Sequence, residues 1–62
     1  MMLSFNVDFV FEYMVIHVPC EASHFDDVVS VAQELVETSG LIVSWSRVKD
    51  ILIEELSSEE GI

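Results

Sequence analysis

The stretch Leu3–Val18, LSFNVDFVFEYMVIHV, constrains this chain most. Its odd positions hold Leu3, Phe5, Val7, Phe9, Phe11, Tyr13 and Val15. Its even positions begin Ser4, Asn6 and Asp8 and become apolar at Met14, Ile16 and Val18. Alternation of this kind is the mark of a β-strand with one buried face. Val, Ile, Phe and Tyr are also the residues that suit a pleated, half-buried surface. The remainder of the chain must cover the odd face.

Strand 3–18 would be about 50 Å long at ~3.3 Å per residue, and strands of five or six residues are the norm. The segment must therefore bend, reverse as a hairpin, or pair outside the monomer. A hairpin lacks the usual Gly or Pro, and Asn6–Asp8 is the best turn site available. The favoured reading is one long bent strand whose doubly apolar second half lies mid-sheet. Pro19, which cannot donate to a ladder, is expected to end it.

A helix is expected over 23–38. Ser23 suits an N-cap, with Asp26 in the capping-box position, and Asp26 and Asp27 favour the positive end of the helix dipole. Phe25, Val28, Val29, Ala32, Leu35 and Val36 form one apolar stripe at helical spacing. Gly40 supplies a stop. A second strand is expected over 41–45. Residues 47–56 fit a helix or a strand, and 50–56 lean to strand because one helix would otherwise cover only two strands. The tail 57–62, SSEEGI, reads as polar and mobile. The fold class is α+β: a small antiparallel or mixed sheet, led by the long N-terminal strand, packed on one main helix. Phe9, Phe11, Val15, Val29, Ala32, Leu35 and Val36 are the expected core.

With 62 residues the chain is a single small domain, which buries only ~60% of its unfolded surface and gains from a metal, a disulfide or a partner. Cys20 is the only cysteine, so no intrachain disulfide can form, and a lone thiol suits the reducing cytoplasm. Charges interrupt every apolar run before the length of a membrane span, and no basic leader opens the chain. Cytoplasm is the expected location. Twelve acids face only Arg47 and Lys49, for a net charge of −10. Direct contact with nucleic acid or an anionic membrane is therefore excluded, and a charged partner would be basic.

Three features compete as sites. His17, Cys20 and His24 have zinc-ligand chemistry at a spacing foreign to zinc fingers, so no metal or other cofactor is expected. Cys20 at a helix N-terminus would be an activated thiol, with His17 or His24 as base. No pocket, oxyanion hole or phosphate-binding glycine loop accompanies it, and catalysis is not expected. The acids are the strongest signal: Glu21, Asp26 and Asp27 at the helix start, Glu34 and Glu37 along its outer face, Glu54 and Glu55 near the C-terminus. They can present negative charge to Lys and Arg that otherwise hold phosphates. They also keep an apolar chain soluble.

The run Val18-Pro19, Glu21-Ala22, Asp26-Asp27, Ala32, Gly40-Leu41-Ile42-Val43 and Arg47-Val48 resembles the small host RNA polymerase inhibitors of T7-type phages. The resemblance covers roughly 15–48. It implies a compact β-α-β core and binding to the polymerase over a DNA-contacting region, in the host cytoplasm. That family makes contact through arginines, a role only Arg47 carries over, and the acidic balance here departs from it. The expected function is a small acidic, non-catalytic interaction protein that occludes a basic, nucleic-acid-binding surface of a larger enzyme. The alternatives are a module that homodimerises through the long strand, using Leu3, Phe5 and Val7, and a metal-stabilised or thiol-active protein.

Overall fold

The computed structural model describes residues 2–56. The expectation for the tail 57–62 lies outside the described residues.

The long strand is corrected to a hairpin. β1 (Leu3–Val10) and β2 (Val15–Ala22) are joined by Phe11–Met14, where the Phe11 N–H donates to the Met14 carbonyl at 2.8 Å. The commonest turns need no positive φ, and among the described residues none other than Gly40 has one. Gly and Pro were therefore dispensable, and Asn6–Asp8 lies inside β1 rather than at the turn. Reversal lets the second apolar stretch pair with the first, which a 50 Å strand could not do.

The register inverts parity. Leu3 pairs with Ala22, Phe5 with Cys20, Val7 with Val18 and Phe9 with Ile16. Opposite residues share a face, so the odd face of β1 continues as the even face of β2. Val15, expected in the core, is 45% exposed, while Val18, Cys20 and Ala22 are buried. Pro19 does not end β2 but sits within it, opposite Asn6. β2 is an edge strand, where proline is tolerated.

β3 (Asp50–Leu56) settles the ambiguous segment as a strand. It runs antiparallel to β1, from Val10–Asp50 to Ser4–Leu56, and the sheet order is β2-β1-β3. Residues 41–45 do not form a strand: 41–44 are irregular and Trp45–Arg47 is a 3-10 turn. The segment runs as a connection from the helix to β3. The three-stranded antiparallel sheet with one main helix is the α+β class expected.

The helix begins later than expected. A 3-10 turn, Phe25–Asp27, leads into α1 (Val28–Thr38). Ser23 is not the cap; the capping positions are His24 and Asp27, and neither side chain bonds a backbone N–H. At the far end Gly40 takes φ +90° and returns its N–H to the Glu37 carbonyl at 3.1 Å, as a glycine stop should.

The core is Phe5, Val7 and Phe9 from β1, Val18, Cys20 and Ala22 from β2, and Val28, Ala32 and Val36 from α1. Phe11 and Val29 pack partly against it. Leu35 is 45% exposed, because α1 presents a narrower stripe than its apolar content suggests. α1 lies chiefly on β2 and less on β1, leaving β3 outside its cover.

Candidate partner-binding surface

The sheet register sorts the polar side chains into places. Ser4, Asn6 and Asp8 on β1 share the uncovered face with His17, Pro19 and Glu21 on β2 and with Asp50, Leu52 and Glu54 on β3. His17 and Asp8 are cross-strand partners, and their side chains meet at 2.8 Å between Nδ1 and Oδ1. Glu55, one residue on, points to the helix side with Ile51 and Ile53.

The expected acids do not form one cluster. Glu21, Asp27 and Glu34 border a shallow groove with Met2, Ala22 and Val31. Asp26 is exposed beside it in the 3-10 turn. Glu37 accepts the Trp45 Nε1–H at 3.0 Å, so its carboxylate also ties the helix to the following loop. Glu54 borders a cleft on the uncovered face with Asn6, Asp8, His17 and Leu52. Among the described residues no Asp or Glu forms a salt bridge with Lys or Arg, and no charged side chain is buried.

Arg47 shares its 3-10 turn with Trp45, the partner of Glu37, and stands apart from the other expected acids. With Lys49 it lines an open cleft of about 450 Å³ at the β1–β2 turn, beside Phe11, Glu12, Tyr13, Met14 and Val48. Both cations thus occupy the Val10 end of the sheet, whereas Glu21 and Glu55 lie at the Ser4 end, about 20 Å away at ~3.3 Å per residue. Their pairing was hidden from spacing analysis, because the turn that faces them was read as strand.

The zinc-type arrangement is not assembled. His17 points to the uncovered face and Cys20 to the helix side, since odd and even residues of β2 face opposite ways. Among the described residues no three His, Cys, Asp or Glu side chains come together as a metal site would require. Nor is Cys20 at a helix N-terminus: it lies in β2, ahead of α1 (Val28–Thr38). Burial pushes its thiol pKa up, opposite to what activation requires; His17 lies on the other face of β2, and His24 lies beyond the strand at the N-cap of the 3-10 turn.

The chain matches no protein-family model, no curated protein and no solved structure.

Among the described residues Glu21, Asp26, Asp27, Glu34, Glu54 and Glu55 are exposed and make no ion pair with Lys or Arg. Among the described residues no helix is long and apolar enough to cross a membrane.

The dimer through Leu3, Phe5 and Val7 loses its basis. β1 is the central strand, and Phe5 and Val7 are at most 1% exposed within the monomer.

Proposed function

We propose that this chain is a small acidic, non-catalytic interaction protein that occludes a basic, nucleic-acid-binding surface of a larger protein in the cytoplasm. The observation that carries the reading is the unpaired state of the acids. Carboxylates that hold a fold together are paired or hydrogen-bonded, and a large net charge works against the compact state. Here the acids at Glu21, Asp26, Asp27, Glu34, Glu54 and Glu55 are exposed and make no salt bridge to Lys or Arg. They cost stability and offer complementarity to Lys and Arg on a partner. Arg47, at the opposite end, would contribute a separate contact. The resemblance to phage inhibitors suggests a nucleic-acid enzyme such as RNA polymerase as the partner.

Affinity capture from the native host cell, read by mass spectrometry, tests this when coupled to competition. The captured protein should lose nucleic acid when the chain is added. A variant carrying Asp26→Asn, Asp27→Asn and Glu34→Gln should compete more weakly while keeping its fold. Glu37 stays in that variant because it holds Trp45. Capture of a protein with no nucleic-acid-binding surface would contradict the proposal.

A further inference from the structure

The two edges of the sheet are built differently. Backbone polar groups alternate sides along a strand. The Phe11–Met14 bond places the odd residues of β1 toward β2, so Ser4, Asn6, Asp8 and Val10 turn toward β3. Their partners Leu56, Glu54, Leu52 and Asp50 face inward, and Ile51, Ile53 and Glu55 hold their N–H and C=O groups outward. The same alternation turns Val15, His17, Pro19 and Glu21 outward on β2. There Pro19 deletes a donor in the middle of the row, a standard way to close an edge.

β3 has no such block. The Ile51 N–H is taken locally by Asp50 Oδ1 at 2.9 Å. Among the described residues Ile53 and Glu55 keep both groups open and no strand flanks β3. Its side chains are equally specific. On the uncovered face stand Asp50, Leu52 and Glu54; on the helix side, which α1 does not cover, stand Ile51, 37% exposed, and the half-buried Ile53.

We propose that β3 is a strand-addition site for a partner segment in which Lys or Arg alternates with apolar residues. Backbone groups of Ile53 and Glu55 pair with it. Its basic side chains lie beside Asp50 and Glu54, and its apolar side chains lie beside Ile51 and Ile53. A second copy fits poorly, because its β3 would bring three further acids to the same edge between two chains each of charge −10. This rests on the proposed acidic interaction function and names the surface that performs it.

A capped peptide of alternating Lys and Val, titrated into the 15N-labelled full chain at low salt, tests the site. A Glu–Val peptide and a peptide with its lysines in one block are the controls. The alternating Lys–Val peptide should shift the amides of Ile51–Leu56 most and slow hydrogen exchange at Ile53 and Glu55. Glu55→Pro removes an outward donor without touching the β1 ladder, and should weaken binding about tenfold or more. Glu55→Gln should weaken it by less, and circular dichroism should show both variants folded. Equal binding by Glu55→Pro, or shifts centred on Asp26, Asp27 and Glu34, would overturn the strand-addition site and leave the acidic interaction function standing. No binding of either lysine peptide would overturn both. Protection at Ile53 without peptide, growing with salt, would assign the edge to a second copy and overturn the proposal.

Discussion

Phe9 and Trp45 meet edge to face, with ring centroids 4.9 Å apart and planes at 69°. Phe9 is fully buried in the central strand, and Trp45 belongs to the turn that returns the chain from α1 to β3. Trp45 also donates to Glu37, so one side chain fastens helix, loop and sheet. Phe9→Ala should cost about 3–5 kcal/mol. A double-mutant cycle with Trp45→Ala should return a coupling of about 0.5–1.5 kcal/mol, measured by denaturant unfolding. Phe11→Ala should cost clearly less than Phe9→Ala, because Phe11 is only partly buried.

The inverted register makes an opposite forecast for two valines three residues apart. Val15 is exposed and Val18 is buried. Val15→Lys should change stability by about 0.5 kcal/mol or less. Val18→Lys places an unpaired charge between sheet and helix and should abolish the cooperative transition. A continuous strand with its odd face inward would give the reverse order, and thermal melts of the two variants separate the cases.

Much of this was legible in the chain, and the failures have physical causes. The α+β class followed from a period-two segment and a helical stripe. Gly40 read correctly because a positive φ at a helix end demands it. The hairpin was missed because Phe11–Met14 contains none of the residues that advertise a turn, and alternation runs straight through a four-residue reversal. That miss propagated to Val15, to Pro19 and to the dimer. The acids were visible, but their separation from Arg47 was not, because it depends on which end of the sheet each loop returns to.

Cys20 should behave as an inert, buried thiol. Disulfide-exchange reagents should modify it slowly in the native chain and rapidly in denaturant. Its pKa is raised by burial, so the folded state holds the proton longer than the unfolded one. The associated stability is full below the unfolded thiol value of about 8.5 and is lost as pH climbs toward the raised folded value. Melting temperature should therefore fall over that alkaline window, more steeply than in Cys20→Ala. Parallel pH profiles for the two proteins would contradict this.

Salt should stabilise the fold. Among the described residues no Lys or Arg salt bridge exists to be screened, whereas a net charge of −10 supplies repulsion that salt relieves. Raising sodium chloride from low to physiological strength should lift Tm, with each kcal/mol worth about 4–8 °C in a domain of this size. A lower Tm in salt would mean that attractive pairs dominate.

The association rate with the captured partner, followed by stopped flow as a function of ionic strength, tests the acidic interaction function most directly. Steering by unpaired carboxylates requires the rate to fall steeply as salt approaches ~0.15 M, where the screening length shrinks to about 8 Å. The Asp26→Asn, Asp27→Asn, Glu34→Gln variant should start slower and fall less. A rate indifferent to salt and to those substitutions would contradict a role for the acids in binding and leave them as solubilising charge.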